Sequence, residues 1–174
     1  DEGSDLIKGI GLFCKSHKKT ISSLDIKHKV ANWYKANISK RTDWIDYTSE
    51  CAALKNKLKQ TKFAGLCPPK MKSKARYMNI PEISYWGKKM LLLLEHGCDL
   101  YTKDELEDKV GWVKKYETVI NECTETHDVA DKIESHLRTQ YMTLYTGITL
   151  NKMINIKGLS DQSLKFRTDI LAFV

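Results

Sequence analysis

Residues 58–87 of this chain read LKQTKFAGLCPPKMKSKARYMNIPEISYWG. The apolar spacing is helical up to about Gly65, and the prolines at 68 and 69 then end the helix because proline cannot continue its hydrogen-bond ladder. From Cys51 to Pro81 the chain carries eight basic residues and no Asp or Glu. Such an unbalanced cationic run faces either open solvent or a polyanion, and nucleic acid is the polyanion that it suits best. The basic residues are Lys55, Lys57, Lys59, Lys62, Lys70, Lys72, Lys74 and Arg76.

Aromatic and amide side chains are interleaved with these charges, at Phe63, Tyr77 and Asn79. Aromatic rings stack on bases, and amides donate to phosphate oxygens, while Lys and Arg supply the salt-dependent part of the affinity. The same pattern is also typical of a solvated helix face followed by a loop, and the sequence leaves that alternative open. The candidate DNA contacts are Lys59, Lys62, Lys70, Lys72, Lys74 and Arg76.

Length and composition limit the class of protein. A chain of 174 residues accommodates one ordinary domain, and 41% hydrophobic residues with 9% aromatics exclude an intrinsically disordered chain. The net charge of +7 and the pI near 9.1 favour a polyanionic partner. The chain begins at Asp1 without an initiator Met and reads as a piece of a longer protein. The run Met90–Leu94 is far shorter than the roughly 20 apolar residues that cross a bilayer, so no membrane is expected.

Five cysteines are scattered along the chain without a C-x-x-C pair. An odd and widely spaced set predicts reduced thiols in a cytoplasmic setting, and it argues against both a disulfide framework and a zinc site.

Hydrophobic periodicity predicts a mainly α fold. The segment from Thr20 to Ile26 is the one convincing strand, because it combines β-branched residues with rough alternation. A helix is expected before it and helices throughout the rest, with a loop at 147–158. We therefore divide the chain into 1–38, the edge of an α/β domain, and 39–174, a helical insertion. Four tryptophans on apolar helical faces are expected to be core residues: Trp33, Trp44, Trp86 and Trp112.

Acidic residues cluster at the start of the chain, at Asp1, Glu2 and Asp5, and Asp25 and His28 follow the predicted strand. Carboxylates at strand ends are the hard oxygen ligands that hold a pair of Mg²⁺ ions about 4 Å apart in phosphoryl-transfer sites. An ordinary structural role is also open, with Asp5 in the first helical turn for the helix dipole, Asp25 as a strand-end carboxylate and His28 at the surface. The sequence contains neither a Gly-rich phosphate loop nor a G-x-S-x-G elbow.

Three segments resemble the middle part of bacterial insertion-sequence transposases of the DDE type. They are D-x-G-S-D-L-x-x-G-I at 1–10, L-D-I-K-H-K-V-A at 24–31, and Q-T-x-x-A-x-L-x-P-P-x-x-x-S-K-A-R-Y-M-N at 60–79. Trp86-Gly87 and Gly111-Trp112-x-x-x-Tyr116 follow in the expected order. The third segment is long and specific, and together the segments run through most of the chain.

The resemblance implies an RNase H-like catalytic core that is interrupted by a helical insertion. It implies that Asp1 is the second acid of the triad and a Mg²⁺ ligand, with Asp25 and His28 in a supporting position. The first Asp is expected upstream of residue 1. The third acid is a Glu in an Ile-Glu-Ser type motif, which makes Glu134 a candidate, although its place inside an amphipathic helix favours a Glu beyond Val174.

In the intact enzyme that the resemblance implies, metal-bound water hydrolyses a phosphodiester at the transposon end and the freed 3′-OH attacks target DNA. The insertion holds the DNA, the enzyme works as a homo-oligomer on the bacterial nucleoid, and a chain with one of three acids is expected to be inactive alone. Two alternatives stay open. One is a non-catalytic helical nucleic-acid-binding module, and the other is a helical protein interaction domain that self-associates through Leu91–Leu94.

Overall fold

The computed structural model describes residues 4–17, 26–72, 76–140 and 145–172. These ranges are helical and contain no β-strand, which confirms the prediction of a mainly α fold. The strand predicted at 20–26 lies outside the described residues apart from Ile26, which begins a helix. The helices are α1 (Ser4–Ser16), α2 (Ile26–Asn37), α3 (Thr42–Leu58), α4 (Ile80–His96), α5 (Lys103–Val110), α6 (Glu117–Gln140), α7 (Thr146–Met153) and α8 (Asp161–Leu171).

Local sequence signals account for most of the helix ends. Pro81 lies in the first turn of α4, where its missing N–H is not needed, and Gly97 ends that helix with a φ of 75°. Helix α5 begins with a reciprocal capping box between Thr102 and Glu105. Ser160 caps α8 by accepting a hydrogen bond from the backbone N–H of Ser163.

Helix α3 is shorter than its periodicity predicts, because it ends at Leu58 and not near Gly65. The hydroxyl and the backbone N–H of Thr61 both donate to the carbonyl of Leu58, each at 3.0 Å. The Thr61 hydroxyl also accepts a hydrogen bond from the backbone N–H of Phe63 at 3.1 Å. A threonine side chain thus competes successfully with the helix ladder and starts a turn.

Helix α7 occupies part of the segment that was expected to be a loop, so the loop prediction for 147–158 is wrong over its first half. Gly147 and β-branched residues give this segment a low intrinsic helix propensity. Leu150 and Ile154 are nevertheless buried, and α7 packs against α8. Tertiary burial outweighs the weak local preference here.

A single hydrophobic core runs from Val30 on α2 to Ile170 on α8, and none of the described side chains of α1 belongs to it. Helices α4 and α6 form its main pair, α8 packs on α6, and α2 contacts both α6 and α8. The Trp33 ring packs edge-on against Phe166 at 4.9 Å, and its Nε1–H donates to Asp169 at 2.9 Å. Helix α2 therefore shares the core of the helices after it, and the domain boundary at residue 38 stays a prediction.

Tyr47 lies at the centre of an aromatic cluster that joins α3, α4 and the 3₁₀ turn at 111–116. Its ring centroid is 5.5–6.5 Å from those of four neighbours, namely Trp44, Trp86, Trp112 and Tyr116. Its hydroxyl donates to the carbonyl of Ile83 at 2.9 Å, and burial raises the pKa of Tyr47 above its ordinary value. Three of the predicted core tryptophans are buried and Trp112 is half-buried, which confirms that prediction.

The five cysteines are free thiols, as their spacing predicts. Cys51 and Cys123 lie in the core, where burial raises the pKa of the Cys51 thiol to about 12. Within the described ranges, no helix combines the length and the apolar character that crossing a bilayer requires.

Gly87 on α4 makes room for the Tyr47 hydroxyl. A Cβ atom at this position would overlap Tyr47 Oη and would lie 2.9 Å from Ile120 Cδ1. We expect Gly87→Ala to lower the free energy of unfolding by about 1–3 kcal/mol, because a methyl group has to be forced into a filled core. Urea unfolding measures this change.

Gly11→Ala is the matched control, because a Cβ there meets no atom within 4 Å. It is expected to raise the free energy of unfolding slightly, or to leave it unchanged. Tyr47→Phe removes the overlapping oxygen, so adding it to Gly87→Ala should recover part of the loss. If Gly87→Ala lowers the free energy of unfolding equally in the Tyr47 protein and in the Tyr47→Phe variant, the overlap with the Tyr47 hydroxyl is contradicted.

Candidate nucleic-acid interface

The segment between α3 and α4, residues 59–79, carries most of the acid-free basic run and is called the basic loop below. Its middle is anchored to the core. Leu66 is buried, and its carbonyl accepts a hydrogen bond from Trp86 Nε1–H at 3.3 Å. Pro68 is also buried and Pro69 is half-buried, so the first of the two prolines packs in the interior.

Asn79 closes the second half of the basic loop. Its side-chain Oδ1 accepts from the backbone N–H of Lys72 at 2.8 Å, and its Nδ2 donates to the backbone carbonyl of Lys72 at 2.9 Å. Asn79 is 5% exposed and Lys72 is exposed, so both hydrogen bonds are partly buried. The backbone is thus held on either side of residues 73–75, which lie outside the described residues.

The predicted DNA contacts differ in how far their charges are already neutralised. Lys59 and Lys70 are exposed and form no salt bridge with the residues that the structure describes. Lys72 Nζ lies 3.8 Å from Glu82, a long and exposed pair of the kind that contributes little. Lys74 and the side chain of Arg76 lie outside what the structure describes.

Lys62 is engaged within the protein. Its ammonium group donates to the Glu105 carboxylate and lies 5.0 Å from the centroid of the Phe63 ring. The hydrogen bond from Lys62 holds the pKa of Glu105 below its ordinary value, helped by the backbone N–H of Thr102. Lys62 therefore links the basic loop to the first turn of α5.

A groove of about 510 Å³ lies beside the basic loop, between α3 and α5. Leu54, Leu58 and Trp112 line its apolar part, and Phe63 forms one wall. Lys57 and Lys109 line it together with Glu50 and Asp108. Lys109 Nζ pairs with Asp108 at 2.6 Å and lies 5.4 Å from the Phe63 centroid. Sequence reasoning did not select Lys57, although it belongs to the acid-free run. Lys109 gives no sequence signal, because only folding brings it next to Phe63.

The predicted acids are not brought together among the described residues. Asp1 and Asp25 lie outside them, and His28 is half-buried on α2. Glu134 is inside α6, where its carboxylate is 3.9 Å from Lys27 Nζ. Within the described ranges, no three His, Cys, Asp or Glu side chains form a group that could hold a metal ion. Mg²⁺ stays an expectation of the resemblance.

Comparison of the chain with protein-family models, with curated proteins and with solved structures finds no match. The resemblance to DDE transposases therefore depends on the three sequence segments alone. Of these three segments, only 60–79 forms a candidate DNA-contact surface among the described residues, because it makes up the basic loop.

Removing Lys62 tests whether its charge is used inside the protein. In Lys62→Met we expect the pKa of Glu105 to rise toward its ordinary value, because the donor that lowers it is gone. Side-chain carboxyl NMR titration measures this pKa. The pKa of Glu105 is lower in the folded protein than in the unfolded chain. The Lys62–Glu105 pair therefore stabilises the fold at pH values above the unfolded-state pKa, and this stabilisation is lost as the pH falls through the folded-state pKa.

Lys114→Met is the control for that titration. Lys114 pairs with Glu107, at 2.7 Å, and not with Glu105. It should leave the pKa of Glu105 unchanged, and a Glu105 pKa that does not respond to Lys62→Met would rule out the described pair.

Asn79→Ala tests the closure of the basic loop. Two partly buried hydrogen bonds disappear and the Lys72 backbone groups lose their partners, so the free energy of unfolding should fall by about 1–3 kcal/mol. Hydrogen exchange of the Lys72 amide should accelerate more than that of the Cys51 amide in α3. Unchanged exchange at Lys72 would contradict the role assigned to Asn79.

Proposed function

We propose that this protein binds duplex DNA through the basic loop, as the helical insertion of a DDE-type transposase. One observation carries the proposal, namely an anchored loop that presents exposed lysines within a run free of acidic residues. Such a surface has the charge and the fixed backbone that phosphate recognition requires. With DNA as its partner, the protein would work on the bacterial nucleoid.

Anchoring of the loop supports binding because a fixed loop loses little conformational entropy when a ligand arrives. The Asn79 side chain holds the Lys72 backbone, and Trp86 holds the carbonyl of Leu66. Lys70 lies between these two anchored points. Its ammonium group is therefore carried on a backbone whose course is already set.

Charge supports DNA as the partner. Lys59 and Lys70 are exposed, and no described carboxylate neutralises them. Each ammonium group that contacts a phosphate releases condensed counterions, and that release drives the binding. Lys62 has to leave Glu105 before it can reach a phosphate, so we expect it to contribute less than Lys59 or Lys70.

The transposase context draws on the third motif. Within it, Thr61 starts the turn after α3, Leu66 and Pro68 are buried, and Asn79 closes the loop. The residues that carry the resemblance thus include those that shape the basic loop. On this reading, Asp1 and Mg²⁺ belong to the phosphodiester chemistry of the intact enzyme, and the described residues supply DNA binding.

The protein interaction alternative receives less support from the face at Leu91–Leu94. Leu94 is buried, and Leu91 and Leu93 are half-buried against the core. Leu92 is the strongly exposed member, at 49%. Most of this apolar face is therefore used within the chain and is not available for self-association.

Fluorescence anisotropy with a 20-bp duplex across a salt titration tests the DNA proposal. We expect Lys59→Glu combined with Lys70→Glu to weaken binding by about tenfold or more at low salt. The log–log salt slope should fall by about two units, because two phosphate contacts are lost.

Lys88→Glu combined with Lys132→Glu is the matched control, because it makes the same charge change at exposed positions on α4 and α6. It should weaken binding much less and leave the slope nearly unchanged. Equal losses in the two double variants would mean that net charge alone drives association. Unchanged binding in the loop variant would overturn the assignment.

A further inference from the structure

Arg167 on α8 joins two helices at a site that the proposed function does not use. Its Nη2 donates to the backbone carbonyl of Asn151 at 2.9 Å and also to the side-chain Oδ1 of that residue. Asn151 lies on α7, so the guanidinium group bridges α7 and α8. Both partners are neutral, and no carboxylate among the described residues pairs with this cation.

The Arg167 guanidinium also has an unsatisfied donor. Its Nε is shielded from solvent and has no hydrogen-bond acceptor among the described residues. A buried donor without an acceptor is costly, and the cost is larger when the group is charged. An arginine needed only to join two helices would gain more from a carboxylate than from an amide. Nε is closed to an outside ligand, but Arg167 Nη1 forms no hydrogen bond with the described residues and is not enclosed, so it can donate to an acceptor from outside the chain.

A cavity of about 440 Å³ opens beside Arg167, and it is lined by Asn151, Lys152 and Asn155 together with Ile154 and Ile156. Lys152 is exposed at its edge. Asn155 Oδ1 accepts a hydrogen bond from the backbone N–H of Lys157 at 2.9 Å, which leaves the Nδ2 amide group as a donor. The sequence from Ser135 to Ser160 contains no Asp or Glu. The polar lining is thus rich in donors and has no charged acceptor.

We propose that this junction of α7 and α8 is a phosphate-binding site. The Arg167 guanidinium and the Lys152 ammonium supply the charge, and the Asn155 amide supplies a neutral donor to a phosphate oxygen. Nη1 is the guanidinium nitrogen that can make a charge-assisted hydrogen bond to the phosphate, because Nη2 binds Asn151 and Nε is enclosed. The site lies on α7 and α8 and is distinct from the basic loop between α3 and α4.

A DNA phosphodiester is the source of phosphate that this proposal assigns to the site. That assignment rests on the proposed function, because it makes the junction a second contact on the same DNA. The phosphate site itself does not rest on the proposed function, since its donors bind any phosphate group that can reach them. Free phosphate and DNA are therefore tested separately.

Inorganic phosphate is the first probe, added to the full chain at constant ionic strength with chloride as the replaced anion. The Arg167 Nε–H resonance and the backbone amides of residues 151–157 should shift and saturate at millimolar concentrations in NMR spectra. Lys152→Gln should weaken this binding at least threefold, and Arg167→Lys at least tenfold. Lys132→Gln on α6 is the control and should leave it unchanged.

Arg167→Lys also changes the contact with Asn151, whereas Lys152 is exposed and forms no salt bridge with the described residues, so we expect its replacement to preserve the fold. Lys152→Gln therefore keeps the test decisive. Shifts that do not saturate, or that persist unchanged in Lys152→Gln, would overturn the phosphate site.

The DNA arm uses the 20-bp duplex and the salt titration. Lys152→Gln in an otherwise unaltered chain should lower the log–log slope by about one unit and weaken binding about threefold. Saturable phosphate binding with an unaltered DNA slope would overturn DNA as the source and identify a site for a small phosphate anion. A loop variant that abolishes DNA binding while phosphate still saturates would separate this site from the basic loop.

Discussion

The hydrogen bond from the Tyr47 hydroxyl to the carbonyl of Ile83 connects the two helices that border the basic loop. It forms only because Gly87 leaves space for the hydroxyl beside Ile120. Helix α3 leads into the basic loop and α4 leads out of it, so this contact determines how the ends of the loop are positioned. The surrounding aromatic rings exclude water, which makes a hydrogen bond inside them stronger than one at the surface. The surface that we propose for DNA is thus supported from beneath by a buried contact.

The distribution of acidic residues explains why the basic loop keeps its charge. Away from the loop, several cations are matched by carboxylates within the fold. Arg41 binds Asp43 through two nitrogens and Glu122 at 2.6 Å, and it holds the pKa of Asp43 below its ordinary value. This network joins the start of α3 to α6 and stabilises the core. In the loop, Lys62 alone has a close carboxylate partner among the described lysines, so the remaining positive charge is available to a polyanion.

Sequence periodicity identified most helices because their apolar faces repeat with a helical period. For α4, Pro81 and Gly97 also marked the two ends. Periodicity was wrong after Leu58, where the Thr61 hydroxyl takes over the carbonyl that would continue α3. It also missed α7, since a weak helix former becomes helical when Leu150 is buried against α8. Both errors arise where a side chain or a distant element outweighs local propensity.

The sequence by itself determined the mainly helical class, the buried tryptophans and the acid-free basic run, because each depends on composition or on spacing along the chain. The sequence could not tell which lysines remain available to bind a polyanion. Lys62 donates to Glu105, 43 residues away, and Lys109 lies over the Phe63 ring, 46 residues away. Nor did the sequence indicate the Arg167 junction, whose partner Asn151 lies on a helix that periodicity had missed. Tertiary structure decided these features, because neutralisation of a charge depends on distance in space and not on position in the chain.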